Sequence, residues 1–218
     1  MASMTHRVAK GLAGGCVLVL GVVLSGCAAP QYTYVTNSGD STYFKVPYGW
    51  HQIGPSALSK AMQQDLGGSA PWSVAYEAGT SPTANDLLSF GADHPFVLAE
   101  VGTLTSTASQ SLSYDSMKDY LLPVTSTERS SLPSNYPLTG FSQIRDQTLT
   151  PGDGVHGVRE TFDYSLSGVA DTFDEVTLTN ATQTKIYFLL LHCTTSCYSS
   201  DQTQINQVMT SFTVRSSS

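Results

Sequence analysis

Cys27 is the residue of this 218-residue chain whose chemistry is most specific. It closes Leu24-Ser25-Gly26-Cys27, the pattern of a bacterial lipobox. A small-residue pair ahead of a cysteine suits a signal peptidase that cleaves just before it. The freed thiol then takes a diacylglycerol. At least two acyl chains would follow, enough for lasting membrane attachment where one is marginal. Two further cysteines, Cys193 and Cys197, are spaced C-x3-C. In an exported chain such a pair forms a disulfide. The enclosed loop is short, so the chain-entropy gain is at the low end, about 2 kcal/mol, and the bond serves to pin a turn after a strand. Redox-active pairs are spaced by two residues, not three. A metal site would need two more ligands near His192, and His51, His94 and His156 are scattered. Neither metal nor cofactor is expected.

Other reactive residue types fall into no pattern. Gly67-Gly68-Ser69-Ala70-Pro71 fails at the last position of a nucleophile elbow, and no Gly-x-Ser-x-Gly occurs. The acids Asp171, Asp174 and Glu175 lack the alternate spacing and glycine turn of a calcium loop. On a strand, Asp171 and Glu175 share one face and Asp174 the other, which reads as a solvated strand end. Tyr48, Trp50 and Trp72 are the candidate docking face, since aromatics are enriched at binding hot spots. Core packing beside a turn is the alternative reading of the same three residues.

Composition bounds the setting. The first 26 residues hold a basic stretch with Arg7 and Lys10, then an apolar run from Gly11 to Leu24. A helix of that run is about 21 Å long, short of the ~30 Å hydrocarbon core, and reads as a cleaved signal segment rather than a span. Cys16 would be lost with it. Arg7 and Lys10 are the only Lys, Arg, Asp or Glu there, so the formal charge of −7 becomes −9 on processing. An acidic body has no electrostatic reason to bind nucleic acid or anionic headgroups. Residues 27–41 read as a lipidated tether, although Tyr32 and Tyr34 could add an edge strand. Residues 42–215 are long enough for one domain with its own core.

The elements follow from pattern. Tyr43, Phe44 and Val46 favour a strand, and Pro47 and Gly49 a tight turn into Trp50. A helix is expected from Ala57 to about Leu66, strands at Trp72–Ala78 and Phe96–Leu104, and a short helix ending before Pro123. Residues 123–140 read as loop. Two hairpin-like units follow, 141–149 with 155–166 and 172–179 with 185–193. Ile186-Tyr187-Phe188-Leu189-Leu190-Leu191 is apolar at every position, so both its faces should be covered. A last helix from Ser200 to about Thr210 opens on Asp201 and Gln204 as a capping box and carries an Ile205, Val208, Met209, Phe212 stripe.

Phe44-x-Val46-Pro47-x-Gly49-Trp50 at the start, and Ile205-x-x-Val208-Met209-x-Ser211-Phe212-x-Val214 at the end, resemble PsbP-like domains and the LpqN/LpqT type of actinobacterial lipoprotein. The resemblance implies an α+β fold, a central, mostly antiparallel sheet flanked by helices on both faces. It carries over no metal-binding or partner-binding residue. The expected protein is a monomeric, non-catalytic envelope lipoprotein, anchored through Cys27 on the extracytoplasmic face and binding an envelope protein. A small-ligand or lipid-binding module is the alternative.

Overall fold

The computed structural model describes residues 30–62, 72–79, 81–83 and 89–215. Two antiparallel sheets organise them. The smaller contains β1 (Tyr32–Asn37), β2 (Thr42–Pro47) and β10 (Thr213–Val214), in the order β1-β2-β10. The larger has seven strands: β3 (His51–Gln52), β4 (Trp72–Glu77), β5 (Phe96–Thr103), β6 (Leu138–Gly152), β7 (Val155–Leu166), β8 (Val169–Thr179) and β9 (Lys185–Thr194). Their order is β3-β4-β5-β9-β8-β7-β6.

β9 occupies the middle, between β5 and β8. Its uninterrupted apolar run is explained by that position. Tyr187, Leu189, Leu191 and Cys193 enter one core cluster, while Phe188 and Leu190 enter a second on the opposite face. Each buried leucine contributes roughly 1.5–3 kcal/mol. The first cluster also takes Val35, Phe44 and Val46 from the small sheet. It includes Cys197 and Tyr198 of α5 (Thr195–Ser200), with Ile205, Val208 and Met209 of α6 (Gln202–Met209). The second takes Leu58 of α1 (Pro55–Met62) together with Phe162 and Phe173, and Tyr120 packs on it.

Several elements differ from the sequence expectation. Residues 32–37 are a strand, the edge-strand alternative for Tyr32 and Tyr34, so six of the fifteen residues of the expected tether belong to the folded body. The two hairpins are one meander, because Ser167 and Gly168 both adopt positive φ, 53° and 85°, and join β7 to β8 in a two-residue turn. Gly157 permits the close approach of these strands; a Cβ there would meet the Thr177 carbonyl oxygen at 2.0 Å. Short helices α2 (Ser106–Ser111), α3 (Tyr114–Lys118) and α4 (Ser126–Ser131) occupy stretches dense in serine and threonine. Their starts are capped by Thr105, Ser113 and Thr125, whose side chains accept backbone N–H groups. The C-terminal helix is split at Asp201. Its capping box is not formed, because the chain is already helical from Thr195 and the start is capped by Thr194, which accepts from the Cys197 N–H. Leu66 and Ser69 lie outside the described residues, as does the segment ending at Cys27.

Candidate functional site

The small sheet places its tyrosines by strand pairing. β1 pairs with β2 so that Tyr32 faces Pro47, Tyr34 faces Lys45 and Thr36 faces Tyr43. Opposed residues share a face of a sheet. Val35, Phe44 and Val46 therefore point into the core, and Tyr32, Tyr34, Tyr43 and Lys45 point away from it. Tyr34 is 76% exposed, and Tyr48, just past the end of β2, is 62% exposed. The backbone N–H of Tyr48 donates to the Gln31 carbonyl at 3.0 Å, which fixes it beside the start of β1.

Two cations sit among these rings. Lys45 Nζ lies 4.1 Å from the Tyr32 ring centroid, and the Arg215 guanidinium 5.8 Å from that of Tyr43. Each falls within the range of a cation–π attraction. A shallow hollow of about 130 Å³ opens between Tyr34, Tyr43, Lys45 and Ser211. The floor is rigid: Ser211 Oγ accepts from the Lys45 N–H at 3.0 Å and donates to the Val208 carbonyl at 2.6 Å. Tyr32 donates its hydroxyl proton to Gln207 Oε1 of α6 at 2.7 Å. Rigid aromatic rings with adjacent cations can bind a surface.

Only one of the three aromatics expected from sequence, Tyr48, is exposed. The turn after β2, closed by the Trp50 N–H donating to the Pro47 carbonyl at 3.0 Å, folds Trp50 inward until it is 7% exposed in the first core. Trp72 packs half-buried against the same core. Of Tyr48, Trp50 and Trp72, only Tyr48 is exposed, while Tyr34, Tyr43 and Lys45 line the hollow on the small sheet. Their sequence signal was the period-two alternation of Tyr32-Thr33-Tyr34-Val35, which marks a strand with one tyrosine face.

Cys193 and Cys197 are joined, with Cα atoms 5.9 Å apart. The bond ties the end of β9 to α5 and so holds Tyr198 against the sheet. Cys27 lies outside the described residues.

The acids at 171–175 are not a solvated strand end. Asp171, Asp174 and Glu175 are 0, 0 and 2% exposed, because β8 is an interior strand with β7 and β9 on either side. Asp174 accepts from Arg159 Nε at 2.9 Å, Arg159 Nη2 at 2.7 Å and the Tyr198 hydroxyl at 2.8 Å. Burial, and then the Asp174 charge, push the Tyr198 phenol well above its usual range. Asp171 accepts from the Gly91 N–H at 3.0 Å and faces His192 Nδ1 at 3.5 Å. Among the described residues no group of three or more His, Cys, Asp or Glu is placed to hold a metal ion. A second concavity, an open groove of about 540 Å³, runs between β6–β8 and the α6–β10 segment, over Leu149, Val176, Leu178, Met209 and Phe212 with Arg159 among its lining. No helix among the described residues is long and apolar enough to cross a membrane.

No family model matches the chain, and no curated protein matches it. Solved structures do. LpqN of Mycobacterium tuberculosis, described as involved in cell envelope biogenesis, superposes with a TM-score of 0.46 at 15% identity, over 85% of this chain and 91% of that one. The Ran-binding protein Mog1p of Saccharomyces cerevisiae gives 0.46 at 9% identity, over 84% and 95%. The cyanobacterial PsbP protein CyanoP of Synechocystis gives 0.51 at 13% identity, over 87% of this chain and 96% of that one. That last similarity shows the fold: this chain has a PsbP-like, α+β architecture built on antiparallel sheets.

Proposed function

We propose that this chain is a lipid-anchored, non-catalytic module of a bacterial cell envelope that binds another envelope protein through the tyrosine face of its small sheet. The observation that carries the reading is that face: Tyr32, Tyr34, Tyr43 and Tyr48 outward on or beside two paired strands, with Lys45 and Arg215 against the rings. Interface cores are enriched in tyrosine and arginine, and rings held in a sheet lose little conformational entropy on binding. The anchor reading rests on the lipobox at Cys27. Tethering raises the local concentration of the module near a membrane partner. The layering expected of the fold, helices on both faces of the larger sheet, is supported by α5 and α6 in one core cluster and Leu58 of α1 in the other.

The groove beside α6 favours a second reading, a site for a small or lipid-like ligand. Its volume falls in the usual range of ligand sites, roughly 300–1,000 Å³, and its lining includes leucine, valine, methionine and phenylalanine.

One experiment separates the two. A photoreactive residue is placed at Tyr34, and in a second version at Leu149, in the full chain in native membranes. The expected result is a protein adduct from position 34 that weakens at least about tenfold, roughly 1.4 kcal/mol, with Tyr48→Ala and Lys45→Glu together. The yield should also fall with Cys27→Ser, which removes the anchor. Adducts from position 149 to a small molecule, with none from position 34, would replace the docking reading with the ligand one.

A further inference from the structure

The face of the larger sheet that lies under α3 carries carboxyl groups in the core. Glu100 on β5, Glu160 on β7 and Glu175 on β8 are 5, 1 and 2% exposed. Register sets Glu175 opposite Glu160, and Glu160 opposite Asp146 of β6. Three carboxyl groups therefore succeed one another across adjacent strands on one face, neighbours being about 5 Å apart at Cβ. Glu100 and Thr177 flank Phe188 in the adjoining row.

Few partners reach this strip. Glu160 Oε2 accepts from Gln143 Nε2 at 2.7 Å. Glu160 Oε1, both oxygens of Glu175, Glu100 Oε1 and Thr177 Oγ, whose residue is 1% exposed, have no hydrogen-bond partner among the described residues. The cation brought to the strip is Lys118 of α3, 2.6 Å from Asp146 and 3.9 Å from Glu160. The same segment also brings acids, Asp115 and Asp119, and the Asp119 carboxylate is taken up by Val124 and Thr125. Asp174, on the far side of β8, is engaged by Arg159. With the glutamates ionised, Lys118 would stand against Asp146 and Glu160, with a charged Glu175 beside them and Asp115 and Asp119 on its own segment. Burial of ionised groups in such an excess is strongly unfavourable.

We propose that α3 and the residues after it, to Leu122, form an acid-closed cover. They stay seated while Glu160 and Glu175 hold their protons and lift as these two ionise. What seats the cover is apolar: Met117 is 2% exposed, and the Tyr120 ring lies 4.7 Å from that of Phe188. The Tyr164 hydroxyl, donating to the Pro123 carbonyl at 2.5 Å, marks the hinge end. Lifting uncovers Phe188, on which the Tyr120 ring packs. Burial holds Glu160 at about 7 and raises Glu175 well above its ordinary range, so the Glu160 step falls near neutrality. The inference does not depend on the tyrosine face.

The test is amide hydrogen exchange on the full chain in vesicles, at about pH 5.5 and about pH 8, corrected for intrinsic exchange. Protection of residues 114–122 should fall at least about tenfold at the higher pH, a change of roughly one pKa unit in free energy, while that of β9 holds. The Glu160→Gln/Glu175→Gln variant, neutral at both positions, should lose the difference. Should the double variant not fold, Glu160→Gln alone serves, and it should at least halve the drop. Flat protection in the unmodified chain overturns the cover. So does an equal fall in β9, or a fall that persists undiminished in the variants.

Discussion

Asp174 is wholly buried and accepts three hydrogen bonds, two of them from the buried Arg159. A pair of this kind is weak evidence for stability, but breaking it from one side is severe, because the remaining charge is left in the core. Arg159→Leu should destabilise the protein by about 3–5 kcal/mol, read from urea unfolding. Arg159→Leu with Asp174→Leu should recover most of the loss. Equal losses in the single and double variants would mean that the guanidinium does not hold the carboxylate. Asp174 is consequently unsuited to test for a reactive acid, since its removal acts through the fold. None of this was legible in Asp171-Thr172-Phe173-Asp174-Glu175. A run of acids reads as solvated unless the partner is known. Arg159, fifteen residues upstream, becomes a neighbour only once the Ser167-Gly168 turn has set the register of β7 on β8.

At the scale of elements, β9 is where sequence and structure agree most directly. Leu189 is 0% exposed and has strands on both sides. Leu189→Asp should abolish folding or lower the melting temperature far more than Lys185→Asp, because it buries an unpaired charge. Lys185, at the strand's start, pairs with Asp40 and is one-third exposed. Aspartate there would sit beside Asp40 and give a small loss. Equal shifts in thermal melts would contradict the central position of β9. Its run of six apolar residues could be read without tertiary knowledge because only a strand covered on both faces needs one. The same logic explains what was missed. α2 and α4 are Ser-Thr-Ala-Ser-Gln-Ser and Ser-Thr-Glu-Arg-Ser-Ser, with no buried residue, so no apolar period announces them. The tyrosine face was half legible: Tyr32 and Tyr34 alternate along one strand, but Tyr43 and Lys45 join them only through pairing.

Across the whole molecule, the buried carboxyl groups set the direction of the pH dependence. Burial raises Glu100 and Glu160 from the ordinary glutamate value of 4.5 to about 7. The folded state thus binds protons more tightly than the unfolded chain. The stabilisation from these two groups is complete below about pH 4.5 and is lost as pH climbs to about 7. Asp40 and Asp146 act in the opposite sense. Asp40 is lowered by Lys185 and Asn37 against the raising effect of burial, and Asp146 by Lys118. Their contribution is present above the ordinary aspartate value of 3.8 and disappears below it, but surface pairs of this kind are screened and small. The sum places greatest stability near about pH 4–5, on the acid side of the usual window of about pH 5–8. Chemical denaturation of the full chain at constant ionic strength should give an unfolding free energy higher at about pH 5 than at about pH 8, by on the order of 2 kcal/mol or more. Glu100→Gln combined with Glu160→Gln should make the fall shallower, because neither position then titrates and only Glu175 retains its share. A free energy that rose from pH 5 to pH 8 in the unmodified chain would mean that these glutamates are ionised in the fold.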